Sequence, residues 1–194
     1  MVSGVPPRAL ALHQLEEAAR VCVRCPLWRC RKRAVPGEGP LDAPLFLVGE
    51  APGRIEDVTG RPFVGRSGQL LEEALRILGI RREEVYITSS VKCRPPLGGK
   101  PKRPEIATCR DLYLYHQIEV VNPRVLVALG NYGLQALMGW EATVGKWRSR
   151  KAAFRGIPLV ATYHPAAVLR NPAFRRRFRG DLRRAAKMAG EGGR

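Results

Sequence analysis

The sequence predicts an α/β protein, one three-layer α/β/α domain around a parallel sheet. Three observations carry that expectation. Short apolar runs ending at Gly or Thr alternate along the chain with stretches of helical periodicity. The 194 residues are a single-domain length, with no internal repeat and no long low-complexity linker. Hydrophobic residues make up 45% of the chain, enough to bury a core and to exclude wholesale disorder.

The elements follow in order. Residues 1–9 read as a flexible N-terminus. They carry two prolines and one basic residue, Arg8, and lack the charged and apolar regions of a signal peptide. Leu10 to Val21 reads as an amphipathic helix, with Leu10, Leu12, Leu15 and Ala18 on or near one face. Leu45–Val48 is an all-apolar run ending at Gly49, the pattern of a buried strand entering a loop. Ser67 is placed to cap a helix carrying Leu70, Leu71, Leu75 and Leu78. Val85–Thr88 is a second strand, Pro104 opens a helix to about Val121, and Val125–Leu129 is a third strand. Asn131 starts a short helix, and Ile157–Thr162 is a fourth strand ending near His164. A basic helix, Arg175–Ala189, closes the chain with Phe174, Phe178, Leu182 and Ala185 on its apolar side. Strands separated by helices imply right-handed crossovers and a sheet covered on both faces. Sites in such sheets lie outside the C-terminal strand ends, here just after Val48, Thr88, Leu129 and Thr162.

Charge narrows the partner. Thirty-four Lys and Arg against 17 Asp and Glu leave +17. In a compact domain that balance points to a polyanion, most often nucleic acid. No run is long enough to span a membrane, so the expectation is an intracellular, cytoplasmic protein.

The five cysteines are Cys22, Cys25, Cys30, Cys93 and Cys109. Cys22 and Cys25 form a C-x2-C pair, and two distant cysteines, Cys93 and Cys109, could join them around one metal centre. An odd count argues against a disulfide framework. Spacing alone leaves both an iron–sulfur cluster and structural zinc open, with Cys30 left over.

Several segments fall where a site belongs. They are Gly49-Glu50-Ala51-Pro52-Gly53, Thr59-Gly60-Arg61-Pro62-Phe63-Val64-Gly65 and His164-Pro165-Ala166. With residues 85–96 (VYITSSVKCRPP) and the cysteine spacing, they resemble the family 4 uracil-DNA glycosylases, the iron–sulfur branch of that superfamily. The likeness runs from Cys22 to about Pro172.

The resemblance implies a four-stranded parallel sheet and a structural [4Fe–4S] cluster on Cys22, Cys25, Cys93 and Cys109. That cluster would hold the basic loop Arg94–Pro104 against the N-terminal helix. It implies that Phe63 stacks on uracil and that His164 donates a hydrogen bond to uracil O2, stabilising the departing anion as an oxyanion hole does. Backbone N–H groups from Glu50 and Ala51 can face a pyrimidine carbonyl. The better-known uracil-DNA glycosylases carry an aspartate at the place of Ala51, which family 4 members lack. Glu50 is then the candidate to orient the attacking water, with Glu56 the runner-up or a partner of His164.

One position departs from the family, which has asparagine where this chain has Ser89. An amide presents a donor and an acceptor side by side to uracil O4 and N3–H, and one hydroxyl cannot fix both. Candidate DNA contacts are Lys100, Lys102 and Arg103, and also Arg170 and Asn171, where the family places a duplex-wedging segment. Lys146, Arg148, Arg150 and Lys151 surround Trp147 in a further basic patch. The expectation is a monomeric DNA repair glycosylase that flips out uracil and hydrolyses its N-glycosidic bond. The alternatives are a glycosylase of altered base specificity, for hypoxanthine or xanthine, and a catalytically silent iron–sulfur module that binds nucleic acid.

Overall fold

The computed structural model describes residues 7–191. Helix α1 spans Pro7–Val21, so the last three residues of the expected flexible N-terminus already form its first turn. The rest of that segment, residues 1–6, lies outside the described residues. A 3-10 turn, Pro26–Arg29, leads through a long connection to strand β1, Leu45–Gly49. Then come α2 (Arg54–Thr59), α3 (Arg66–Ile77) and β2 (Val85–Ser89). Helices α4 (Arg103–Cys109) and α5 (Tyr115–Val121) are joined by a π-helical turn, Arg110–Leu114. After β3 (Val125–Leu129) follow α6 (Gly130–Met138), α7 (Val144–Trp147), β4 (Ala152–Phe154) and β5 (Ile157–Thr162). The chain closes with α8 (Pro165–Arg170) and α9 (Arg175–Glu191).

Among the described residues the sheet has five strands in the order β2-β1-β3-β5-β4. Four are parallel, as the sequence predicts, and the fifth corrects the expected count. Strand β4 is a short antiparallel edge paired to β5 through Ala152↔Leu159 and Phe154↔Ile157. Arg155 and Gly156, both at positive φ (49° and 82°), make the two-residue hairpin turn. Such turns require left-handed backbone at both central positions, and an arginine gives no signal of it.

The period of two along each strand sorts side chains to two faces. Phe46, Val48, Tyr86, Leu126, Ala128 and Leu159 face one way and pack with residues of α1, α5 and α6. Leu45, Leu47, Ile87, Val127 and Val160 face the other way, against Leu71 and Leu75 of α3 and Phe178 and Leu182 of α9. These two cores make the three layers. Ser67 does not cap α3: the N-cap is Gly65, and Ser67 is the second helical residue. The helix expected from Pro104 begins one residue earlier and carries the π turn, which no periodicity argument foretold.

Candidate active site and cysteine centre

The C-terminal ends of β1, β2 and β5 open into one cleft of about 520 Å3. Glu50, Ala51, Phe63, Ser89 and His164 all line it, so one wall system gathers residues more than a hundred positions apart. That volume is within the range of small-ligand sites.

Phe63 is held from three sides. Its backbone sits at φ 51°, uncommon for an aromatic residue and costing roughly 1 kcal/mol or more. The Arg82 guanidinium donates to the carbonyls of Phe63 (3.0 Å) and Pro62. The Glu56 carboxylate accepts from the N–H groups of Val64 (3.0 Å) and Gly65 (2.8 Å). Glu56 is thus the anchor of this loop, its carboxylate engaged with Val64 and Gly65. The Phe63 ring lies across Gly49, where a Cβ would meet ring carbons at 2.5 and 2.6 Å. The same Cβ would come 3.4 Å from the Ser89 hydroxyl, so Gly49 leaves open a point that both the ring and the hydroxyl border. Phe63 is 7% exposed and belongs to the second core as well as to the cleft.

His164 also does two jobs. It is the N-cap of α8, its Nδ1 accepting from the Ala166 N–H at 3.1 Å. Burial, helped by the charge of Arg170, pulls its pKa down to about 4. The imidazole is therefore neutral near pH 7, and with Nδ1 occupied as an acceptor the proton sits on Nε2. A neutral ring with its N–H free to donate is what the cap leaves over. Room for it comes from Gly130, at φ 82°, whose Cβ would stand 2.8 Å from that of His164. The rings of Phe63 and His164 are 5.7 Å apart and tilted by 35°.

Glu50 lines the same cleft with its carboxyl pKa raised by burial and opposed by Lys100 and Arg170. The Ser90 hydroxyl donates to its carbonyl and fixes the loop. Ser89 is 4% exposed, and its carbonyl accepts from Lys92 Nζ at 3.0 Å. Lys92 is buried as well, and sequence reading passed over it. Its Nζ also donates to Thr88 Oγ1 at 2.5 Å, and burial lowers its pKa to about 8.

The basic candidates divide. Lys100 and Arg170 line the cleft, joined by Arg54, Arg66 and Arg94, which the sequence analysis did not single out. Lys102 and Arg103 do not line it, and the Arg103 guanidinium lies 5.5 Å over the Trp140 ring. Asn171 caps the following 3-10 turn by accepting from the Ala173 N–H at 3.1 Å. Arg148, from the patch around Trp147, is tied to Asp181 at 2.8 Å.

Cys22, Cys25, Cys93 and Cys109 line a second, smaller cavity, whereas Cys30 is exposed and lies outside it. Each of the four sulfurs meets an N–H donor. Arg24 N–H reaches Cys22 (3.5 Å), Arg31 Nη1 reaches Cys93 (3.2 Å) and Lys92 N–H reaches Cys109 (3.3 Å). The Leu27 N–H serves Cys25. Donors aimed at sulfur favour thiolates, as metal centres require. Burial works against them, pushing the Cys109 thiol up to about 12. Among the described residues no three His, Cys, Asp or Glu side chains are grouped closely enough for a single ion. Four thiols lining one cavity, each met by an N–H donor, are a donor set that a thiolate-ligated centre could use.

The fold and this cleft define a class. The sequence model of the uracil DNA glycosylase superfamily matches residues 36–186, and the chain belongs to that superfamily. Within it, the chain is 48% identical over 179 residues to the Type-4 uracil-DNA glycosylase of Pyrobaculum aerophilum, covering 88% of this chain and 91% of that protein. It is 46% identical to the Type-4 enzyme of Thermotoga maritima, over 81% and 82% of the two chains. To the Type-5 uracil-DNA glycosylase of Pyrobaculum aerophilum it is 34% identical, over 72% and 68%.

Proposed function

We propose that this protein excises uracil from DNA, hydrolysing the bond between deoxyribose C1′ and uracil N1 to leave an abasic site. The observation that carries the reading is the convergence of Glu50, Phe63, Ser89 and His164 on one cleft at the strand ends, in a chain of the uracil-DNA glycosylase superfamily.

A base inside a duplex cannot reach such a cleft, so the nucleotide must leave the stack. Phe63 offers the flipped pyrimidine an aromatic face, and the Glu50–Ala51 backbone and Ser89 meet its polar edge. As C1′–N1 breaks, the bonding pair passes into the ring and charge grows on O2. The Nε2–H of neutral His164 donates to that oxygen. The donor gains strength only as charge develops, which lowers the barrier and leaves ground-state binding nearly unchanged. Glu50 orients the water that adds to C1′ and takes its proton, and the uracil anion is later protonated by solvent.

Cys22, Cys25, Cys93 and Cys109 would hold a [4Fe–4S] cluster, supported by the four N–H···S contacts and the shared cavity. When bound, its chemistry is a covalent staple between α1, the β2 exit and α4. DNA is the partner, and the protein works as a monomer. No helix among the described residues is long and apolar enough to cross a membrane.

The test is release of free base from oligonucleotides carrying uracil, hypoxanthine or xanthine, single- and double-stranded. Uracil should be released and the strand left alkali-labile at that position. Release of none of the three bases would overturn the reading, and a purine preferred over uracil would reassign the pocket.

A further inference from the structure

We propose that Tyr132 and Trp140, at either end of α6, are stacking platforms for an unpaired DNA strand leaving the cleft; the inference rests on the glycosylase reading above for what occupies that cleft. Two cation–aromatic pairs carry it. Lys100 Nζ lies 5.7 Å from the centre of the Tyr132 ring, and the Arg103 guanidinium lies 5.5 Å from that of Trp140. Both distances are near the outer limit of about 6 Å for such pairs, so neither cation closes off the ring beside it.

The rings are held where they stand. Both are half-buried, packed against the core that α1, α5 and α6 share with the sheet. A ring fixed in that way offers its open surface to a base at little cost in side-chain entropy. Helix α6 is itself firmly seated. A Cβ on Gly133 would meet the Val48 carbonyl at 2.2 Å, so the helix lies directly on the backbone of β1. The Tyr115 hydroxyl donates to the Ala136 carbonyl at 3.1 Å. The length of α6, Gly130–Met138, sets the rings roughly 12 Å apart at about 1.5 Å per residue. Their cations stand within about 10 Å of each other, the reach of the chain between residues 100 and 103. The track also begins at the cleft. Lys100 lines the cleft and faces Tyr132, and Gly130, the first residue of α6, abuts His164. Lys102 adds a third cation, whereas the next carboxylate along the chain, Glu105, is buried and accepts from the Lys102 N–H at 2.7 Å. Aromatic faces with cations at their sides suit unpaired bases whose phosphates run alongside. A duplex keeps its bases stacked on one another and would meet only the cations.

The test is equilibrium binding to a single strand carrying one non-hydrolysable 2′-fluorinated deoxyuridine, with one abasic site moved stepwise away from it along a series of strands. Wild-type protein should lose affinity where the abasic site falls at one or two positions on one side of the uracil, by on the order of tenfold, the usual effect of one stacked base. Tyr132→Leu and Trp140→Leu keep apolar bulk against the core. Each should bind the intact strand on the order of tenfold more weakly and erase one of those positional losses. Their salt slope should match that of the wild type, because stacking releases no counterion, and their duplex affinity should stay within about twofold. Tyr132→Phe and Trp140→Phe put a ring back and should recover single-strand binding. A flat abasic profile, equal losses on single strand and duplex, or phenylalanine variants as weak as the leucine ones would overturn the proposal. Wild-type protein that shows the positional losses yet releases no uracil from the unmodified strand would overturn the glycosylase reading and leave the track standing, so the two failures are distinguishable.

Discussion

At His164 the cap and the proposed chemistry are one arrangement. The Ala166 N–H fixes Nδ1 as an acceptor, so the tautomer that donates from Nε2 is built into the fold. His164→Ala should therefore slow single-turnover excision by about a hundred- to a thousand-fold, the usual cost of one such donor. DNA affinity should change little, and an unchanged rate would remove His164 from the mechanism. Its titration has a stability consequence too. The folded pKa, about 4, lies below the ordinary 6.5, so the unfolded chain binds more protons between those values. This term favours folding above pH 6.5 and is lost as pH falls toward 4. A urea-unfolding series across that window should show stability declining with acid, and His164→Ala should flatten that part of the curve. Ser89 tests base reading in the same cleft. Ser89→Asn restores a paired donor and acceptor, which leaves cytosine with mismatched partners, so uracil release and discrimination should both rise. Equal or lower uracil release would count against a uracil-reading role for this position.

Elements decide what the cysteines do. Cys22 and Cys25 follow α1, Cys93 follows β2, and Cys109 ends α4 at the π turn, so a cluster on the proposed four would tie together three separate parts of the chain. Serine at any of the four should lower iron and acid-labile sulfide content and the thermal midpoint together, while Cys30→Ser should keep both. Zinc in place of iron in the purified protein would refute the cluster. The four buried strands were legible because both faces of a covered parallel strand are apolar, which leaves runs such as Leu45–Val48 and Val125–Leu129 in plain view. Strand β4 was not, since three residues at an edge carry no period and Arg155 hides its turn. The same division holds at the site. Glu50, Phe63 and His164 stand next to strand ends or in a glycine-flanked loop, where position alone marks them. Glu56, Arg82 and Lys92 act by holding backbone groups that folding brings near, and nothing in their local sequence says which carbonyl or N–H they will meet. Glu56→Gln tests that distinction: it should weaken the anchor of the Phe63 loop and reduce uracil binding more than the chemical step. A loss confined to the chemical step would return Glu56 to the catalytic candidates.

For the whole molecule the +17 charge matters through where it is placed. Five basic side chains, Arg54, Arg66, Arg94, Lys100 and Arg170, line the cleft, which otherwise holds the carboxylates Glu50 and Glu56. A strand entering there releases counterions for each phosphate it pairs, so affinity should fall steeply with salt, with a log–log slope near −0.9 per phosphate on duplex DNA. Lys100→Ala and Arg170→Ala should each flatten that slope by about one and weaken binding alike across sequences. Arg148 is the control that separates location from mere charge. Its guanidinium is held 2.8 Å from Asp181, which is nearly fully buried and also accepts from the Thr162 hydroxyl. Removing it leaves that carboxylate short of a partner, so Arg148→Ala should lower the thermal midpoint by several degrees. It should leave the salt slope of DNA binding where it was, because a cation already engaged inside the fold has no counterion to release. A slope that flattened equally in all three variants would mean the protein binds DNA through its overall charge, with no track leading to the cleft.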